Sequence, residues 1–315
     1  MFVQNHFPDT AFLLADLAAS IRENQNRVDR YLQQDGAYEV FDPLHDADKT
    51  SPQTDEAFPA TFWERFGIRH IIFNSPYNIT ASKSQWSITG SLAPYRWSAL
   101  KKDGCVESLS ACFSNCSVVQ FADYANVHDA ADFWNGLFAD VIKPLEKKDL
   151  EFIFQLGDVT GRTVFEVDEV LDIIGQYGRH GRVNMVMDEQ EANTLWDVLC
   201  GIHYPASPKE KYQLQFETMH IDTLLIFHNN GVRLISKEMQ FDFAGRSLNN
   251  MHTYPHSKDF FLAGFRLGLL LRFDIPHAIV LGLVVSGAYR ENASLPTSQT
   301  LLTYIDDWKS TISII

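Results

Sequence analysis

The segment from Leu150 to Gly201 constrains the fold most, because apolar runs and helical patterns alternate along it. LEFIFQL and RVNMVM are short apolar runs of the length expected for buried strands. VDEVLDIIGQY has helical spacing and ends before Gly178, and in DEQEANTLWDVLCG the residues Asp188 and Glu191 match a capping box. An order of strand, helix, strand, helix predicts an α/β unit in which helices cover the sheet.

The chain beyond Pro208 predicts further strands, followed by helices. KYQLQFE, DTLLIFH, GVRLIS and MQFDFAG are predicted strands, and HNNG between two of them is typical of a hairpin turn. A helix from Lys258 to about Arg272, a buried segment from His277 to Ser286 and a last helix in QTLLTYIDDWKS follow. Gly264 and Gly268 are four residues apart, which predicts close packing inside the protein, with a dimer interface as the alternative.

Residues 1–148 have a different pattern. Short runs rich in Ile, Thr, Tyr and Trp, such as YRWSAL, lie between Arg69 and Leu100 and predict short antiparallel strands. A helix is predicted from about Asp129. Residues 35–59 are rich in carboxylates and prolines, which indicates an acidic loop that could bind a partner.

Together these patterns predict an α+β (mixed α/β) protein of two packed halves. Residues 1–148 form the first half, with a small antiparallel sheet, helices and the acidic loop 35–59. Residues 149–315 form the second half, with a mixed sheet covered by helices.

Charge and composition exclude some classes of partner and location. With 26 basic and 40 acidic residues the formal net charge is -14, which disfavours general binding to nucleic acid. The apolar region that begins at Phe260 is interrupted by Arg266, Arg272 and Asp274, so we expect no membrane span. The N-terminus lacks the pattern of a secretory signal and four cysteines are too few for a disulfide scaffold, so we expect a cytoplasmic protein.

Histidines in MHTYPHSKDFF raise the possibility of a metal site. His252 and His256 are four apart, a spacing that on a helix places both imidazoles on one face, but Pro255 disfavours a helix here. A metal could still be bound if these two residues converged with His277 and Asp259 in three dimensions. The alternative is that the histidines are hydrogen-bonded loop residues.

A zinc site is a second hypothesis. Cys112 and Cys116 could supply one pair of ligands, and Cys200 with His203 the other. The spacing differs from the usual C-x2-C, and Cys200 shares a helix face with leucines, so buried free thiols are the alternative.

Three arginines and one histidine are candidates for an anion-binding patch in a chain whose net charge is negative. Arg179, His180 and Arg182 occupy a predicted helix-to-strand turn, and with Arg162 they could bind an anion or an acidic partner. The alternative is a solvated turn at the negative end of a helix dipole.

The sequence contains no Walker loop, no G-x-G-x-x-G, no H-E-x-x-H and no kinase signature, and it leaves the cofactor unknown. The hypothesis that follows is a non-enzymatic cytosolic protein-interaction or complex-subunit protein, acidic and oligomeric, with a protein partner or self-association. The alternatives are a metal-dependent hydrolase or nuclease-like enzyme that uses the histidines, and a zinc-stabilised structural protein.

Overall fold

A computed structural model describes most of the second half of the chain and parts of the first. The described residues are 9–32, 73–74, 96–101, 105–115, 117–121, 124–126, 129–201, 206–228, 231–247, 257–292 and 294–312. The acidic loop 35–59 and most of the strands predicted between Arg69 and Leu100 lie outside these residues.

Among the described residues, seven strands form one sheet whose order follows the chain. The strands are β1 (Phe73–Asn74), β2 (Val118–Phe121), β3 (Leu150–Phe154), β4 (Gly181–Asp188), β5 (Thr223–His228), β6 (Gly231–Ser236) and β7 (Gln240–Ala244). β2, β3, β4 and β5 are parallel, and β1 pairs antiparallel with β2. An antiparallel meander is formed by β5, β6 and β7. The mixed α/β fold class is therefore confirmed.

Helices cover both faces of this sheet. They are α1 (Thr10–Glu23), α2 (Gln25–Arg30), α3 (Trp97–Leu100), α4 (Cys105–Asn115), α5 (Ala130–Leu137), α6 (Val164–Tyr177), α7 (Glu189–Cys200), α8 (Pro208–Thr218), α9 (Ser257–Leu270), α10 (Ile275–Asn292) and α11 (Ser298–Ile312). A π-helical turn, Phe138–Ile142, extends α5 towards β3.

Alternation along the strands divides the apolar side chains between two cores. Phe152 and Phe154 of β3 face the core formed with α4 to α8, whereas Ile153 between them faces the core formed with α1, α2 and α9 to α11. Strands buried on both faces are typical of parallel sheets between helical layers.

Capping boxes begin three of the connecting helices. Thr163 with Glu166 caps α6, Asp188 with Glu191 caps α7, and Ser207 with Glu210 caps α8. In each box the first side chain accepts from the backbone N–H three residues on, and the glutamate accepts in return, which satisfies donors that a helix start leaves unpaired. The predicted box at Asp188 is confirmed.

Several predicted elements are confirmed and others are wrong. The hairpin at HNNG is confirmed, because His228 of β5 pairs with Gly231 of β6. KYQLQFE belongs to the helix α8 and not to a strand, because Ser207 caps it and Pro208 occupies its first turn. YRWSAL contributes the helix α3, and the buried segment from His277 to Ser286 lies within the helix α10.

The sheet crosses the boundary between the two predicted halves. β2 belongs to residues 1–148 and β3 to residues 149–315, yet they pair in parallel from Val118 and Glu151 to Phe121 and Phe154. Within the described residues, the first half thus contributes β1 and β2 to the same sheet. No helix there is both long and apolar enough to cross a lipid bilayer.

α9 and α10 form an antiparallel pair in which glycines allow close approach. A Cβ atom added at Gly264 would lie 2.7 Å from the Leu281 carbonyl oxygen and 2.8 Å from the Gly282 Cα. At Gly268 it would lie 2.6 Å from the Ala278 Cα. The predicted close packing at both glycines is confirmed, and it takes place within the chain.

We expect Gly264→Ala to lower the free energy of unfolding by about 2 kcal/mol, because the new methyl group must push two backbones apart. Gly175→Ala in α6 is the matched control: the same methyl group meets nothing closer than 3.4 Å there. The control should be neutral or stabilising, since alanine has the higher helix propensity. Urea denaturation measures both variants, and equal effects would contradict the packing at Gly264.

Candidate functional site

The four parallel strands end at one edge of the sheet, and polar side chains collect there. Gln120 of β2, Gln155 directly after β3 and Asp188 at the end of β4 all follow the strand alternation that faces α9. In open α/β sheets, ligands bind outside the carboxyl ends of the strands. This edge, on the side of α9, is the candidate site.

Gln120 and Gln155 lie beside each other in this row. The Gln120 Nε2 donates to the Gln155 Oε1 at 2.5 Å, and Gln120 is buried. The Gln120 Oε1 is buried without a hydrogen-bond partner among the described residues. A buried amide oxygen without a donor is costly, so it is well suited to accept a hydrogen bond from a bound ligand.

The N-terminus of α9 is held at the same edge by an ion-pair cluster. The Lys258 Nζ lies 3.1 Å from the Asp188 Oδ2 and 2.5 Å from the Glu191 Oε1. Lys258 is in the first turn of α9, whereas Asp188 ends β4 and Glu191 lies in the first turn of α7. One ammonium thus connects two helix N-termini across the carboxyl edge of the sheet.

Each of the four oxygens of the two carboxylates accepts a hydrogen bond in this arrangement. The Asp188 Oδ1 accepts from the Glu191 N–H at 2.8 Å, and the Glu191 Oε2 accepts from the Asp188 N–H at 2.8 Å. The remaining oxygens, Oδ2 and Oε1, accept from Lys258. The capping box of α7 therefore also forms the binding site for the lysine.

The electrostatics favour a charged lysine. Burial by itself lowers the pKa of the Lys258 ammonium, but the Glu191 and Asp188 carboxylates outweigh it, so this pKa is raised above its ordinary value. Lys258 remains positively charged over the whole physiological range.

Asp259 and Ser257 flank this lysine at the start of α9. Asp259 is half-buried beside it, and the Ser257 carbonyl oxygen accepts a hydrogen bond of 2.9 Å from the Ser286 Oγ of α10. The helix start is therefore fixed from two sides, by Lys258 to the sheet edge and by Ser257 to α10. The backbone of Asp259 is therefore held in a fixed position, in the same turn as the N–H groups that a helix start leaves unpaired.

A second cluster occupies the same edge near α6. The Arg162 guanidinium donates to the Tyr124 carbonyl oxygen at 3.0 Å, lies 3.3 Å from the Glu166 Oε1 and stacks 4.9 Å above the Tyr124 ring. Burial raises the pKa of the Tyr124 hydroxyl to about 12, against the opposing effect of Arg162. These contacts order the loop after β3.

The amino edge of the sheet carries a partly buried glutamate. Glu151 of β3 accepts from the Asn184 Nδ2 at 3.1 Å and lies 3.7 Å from the Arg182 Nη1. Burial raises the pKa of the Glu151 carboxyl, and Arg182 and Asn184 oppose this rise. A raised pKa means that the folded state favours the protonated carboxyl.

The stability contributed by Glu151 is therefore present below its unfolded pKa and is lost as the pH rises through its folded pKa. We expect Glu151→Gln to stabilise the protein relative to the wild type by an amount that grows between about pH 4 and neutral pH. Urea denaturation across this range measures the difference. Glu169→Gln, at an exposed position on α6, is the control, and a Glu151→Gln difference that is flat or shrinks with pH would contradict the assignment.

The structure does not bring His277 and Asp259 together. Asp259 lies in the first turn of α9, and His277 lies beyond its last turn, about 20 Å away by the length of the helix. The His277 Nδ1 is 2.6 Å from the Asp274 Oδ1, and its Nε2 is 3.5 Å from the Asp16 Oδ2. His252 and His256 lie outside the described residues.

Two of the four proposed zinc ligands lie outside the described residues. The structure gives Cys112 only as part of the backbone of α4, and Cys116 and His203 are outside the described residues. Cys200 ends α7 as an exposed free thiol, so its predicted burial is wrong. Where side chains are described, no three histidine, cysteine or carboxylate residues converge as metal ligands would.

The four residues of the predicted anion patch lie at opposite edges of the sheet. Arg162 follows β3 at the carboxyl edge, whereas Arg179, His180 and Arg182 precede or begin β4 at the amino edge. His180 packs edge-on against the Phe138 ring at 5.5 Å. The four predicted residues therefore do not form one patch.

Sequence reasoning missed Lys258, Gln120 and Gln155. A signal for Lys258 was present, because a cation in the first turn of a helix opposes the helix dipole and calls for a compensating partner. The partner residues, Asp188 and Glu191, were recognised only as a capping box. The two glutamines carry no local signal, since each lies in or beside an apolar strand.

Comparison with known proteins gives matches to solved structures alone. No protein-family profile and no curated protein sequence matches the chain. A ribokinase from Thermotoga maritima matches with a TM-score of 0.46 and 12% identity, over 62% of this chain and 59% of that one. An adenosine kinase from Sinorhizobium meliloti matches with a TM-score of 0.48 and 13% identity, over 63% and 56%.

A nucleoside kinase from Burkholderia thailandensis, in complex with inosine, matches with a TM-score of 0.45 and 11% identity, over 64% of this chain and 62% of that one. This chain thus spans less than two thirds of the length of each of these three proteins.

These matches correct the functional hypothesis drawn from the sequence. The matched structures are described as sugar and nucleoside kinases, which is at odds with the hypothesis of a non-enzymatic protein-interaction or complex-subunit protein with protein binding as its activity. That hypothesis is not retained. The metal-dependent hydrolase and the zinc-stabilised structural protein are not supported either.

Proposed function

We propose that the chain is a phosphotransferase that moves a phosphoryl group onto a hydroxyl of a small polar molecule. The main support for the proposal is the pair of ion pairs that Lys258 makes with Asp188 and Glu191. This Lys258 bridge holds the N-terminus of α9 at the carboxyl edge of the parallel strands. A helix N-terminus and an ammonium at a ligand-binding edge are the elements that phosphate recognition requires.

The donor phosphate would bind at the start of α9. The first-turn N–H groups of a helix carry a partial positive charge and have no acceptor within the helix. Lys258, in the same turn, offers its remaining N–H donor, while Asp188 and Glu191 balance its positive charge. Charge that develops on the transferred phosphoryl group would therefore be stabilised by donors that are already in place.

Asp259 would act on the acceptor hydroxyl. It is the carboxylate next to the phosphate-binding turn, and it is half-buried. Phosphoryl transfer to an alcohol needs a base that accepts the hydroxyl proton as the bond to phosphorus forms. In this proposal the bond from phosphorus to the donor's bridging oxygen breaks as the acceptor oxygen bonds to phosphorus, and the donor leaves as a nucleoside diphosphate. Asp259 takes the hydroxyl proton, while the α9 turn and Lys258 orient the phosphoryl group.

The acceptor would bind along the row of amides at the ends of β2 and β3. The buried Gln120 Oε1 would accept a hydrogen bond from an acceptor hydroxyl or amino group. The names of the ribokinase and the nucleoside kinases suggest the class of acceptor to test first, and the support offered for this chain is the geometry of its own residues.

A cytosolic location is part of this proposal. Cys200 is an exposed free thiol, which suits a reducing compartment.

Transfer of radiolabelled γ-phosphate from ATP tests the proposal. Ribose, adenosine and inosine are supplied as acceptors, each with a heat-inactivated protein control. We expect a labelled product with at least one acceptor and none with the inactivated protein. Failure to transfer to any hydroxyl compound of a wider sugar and nucleoside panel, with ATP shown to be intact, would contradict the proposal.

A further inference from the structure

Lys258 is an unusual residue for the position that it occupies. It lies in the first turn of a 14-residue helix, where the dipole disfavours a cation. It is also largely buried, with 22% of its side chain exposed. A residue that violates a local preference in this way is typical of functional sites.

The two partners of Lys258 are oxygen ligands of the kind that divalent cations use. Carboxylates that converge at the end of a strand and the start of a helix would ordinarily suit Mg²⁺ or Mn²⁺. Here the four carboxylate oxygens of Asp188 and Glu191 already accept from two backbone N–H groups and the Lys258 ammonium. A cation at this pair would have to displace the lysine.

We infer that the Lys258 ammonium occupies, as part of the chain, the position of a divalent cation between Asp188 and Glu191, and excludes a metal ion from this pair. An ammonium has three N–H donors, and the two carboxylates use two of them. The third would be directed to an oxygen of the donor phosphate, a part of the inference that rests on the proposed function. The exclusion of a metal ion from the pair does not depend on the proposed function.

Manganese binding to the protein alone tests the exclusion. Electron paramagnetic resonance counts free Mn²⁺ in titrations of the wild type, Lys258→Met and Lys258→Gln, after circular dichroism has shown that each is folded. We expect the wild type to bind Mn²⁺ no better than its general acidic surface does. The variants should gain one site at least about tenfold tighter, because removal of the ammonium frees two carboxylate oxygens.

Two further variants assign the new site. Glu191→Gln in the Lys258→Gln background should abolish the gained site, because one of its two carboxylates is then neutral. Asp172→Asn in the same background, at an exposed position on α6, should leave it unchanged. Lys258→Gln keeps a polar side chain without the charge, so it provides the test if Lys258→Met does not fold.

The outcomes separate this inference from the proposed function. A stoichiometric Mn²⁺ site in the wild type that is lost in Glu191→Gln would overturn the exclusion, and so would folded Lys258 variants that gain no site. None of these readings requires phosphoryl transfer. A protein without transferase activity could still exclude Mn²⁺ from the pair of carboxylates, and an active protein could still bind Mn²⁺ there.

Discussion

For the proposed phosphotransferase function, we expect Asp259→Asn to lower the rate of phosphoryl transfer by at least about 100-fold, because the amide cannot accept the proton of the attacking hydroxyl. Asparagine has nearly the same shape as aspartate, so substrate binding and the fold should be retained. The variant is therefore expected to lose kcat with little change in KM, the pattern of an interaction made in the transition state.

The matched control for this variant is Asp172→Asn, which makes the same chemical change at an exposed position on α6. Its activity should equal that of the wild type. Steady-state kinetics on both variants, with thermal melts to verify folding, measure the effect. An Asp259→Asn enzyme that retains more than about a third of wild-type kcat would rule out a role of this carboxylate as the base.

Lys258→Met should lower the free energy of unfolding by about 3 kcal/mol. Removal of one partner of a buried ion pair leaves the other charge buried without compensation. Glu191 has 13% of its side chain exposed, and burial raises the pKa of its carboxyl, which Lys258 opposes. Without the lysine, the ionised carboxylate becomes a direct cost to folding at neutral pH.

A double variant separates this cost from the loss of packing. Glu191→Gln in the Lys258→Met background should recover part of the lost stability, because the amide oxygen still accepts from the Asp188 N–H and no unpaired charge remains. Lys237→Met, at an exposed position, should change stability by less than about 0.5 kcal/mol. If urea denaturation gave Lys258→Met and Lys237→Met the same stability, the bridge would not anchor α9.

The sequence predicted elements whose signals are local. The box formed by Asp188 and Glu191 spans four residues, and the hairpin after His228 depends on a short turn, so both are evident in the printed sequence. The prediction of a strand at α8 is wrong because KYQLQFE has only a weak helical pattern. Ser207 and Glu210 match a capping box, which indicates a helix. There the cap was the more reliable signal.

The candidate site depends on contacts between distant parts of the chain. Lys258 meets Asp188 and Glu191 from 70 and 67 residues away, and Gln120 meets Gln155 from 35 residues away. Only the sheet order and the path of α9 bring these residues to one edge. The same geometry separates His277 from Asp259, although they are close in sequence, because a straight helix lies between them.

Hydrogen exchange at the start of α9 tests the central claim most directly. Wild-type protein is compared with and without a nonhydrolysable ATP analogue, and exchange is followed at single backbone amides by nuclear magnetic resonance. We expect the amides of Lys258, Asp259 and Phe260 to become protected when the analogue binds, while those of the amino-edge turn at Arg179 and His180 do not change. Binding of the analogue without protection of the α9 amides would contradict the assignment of this helix start as the phosphate site.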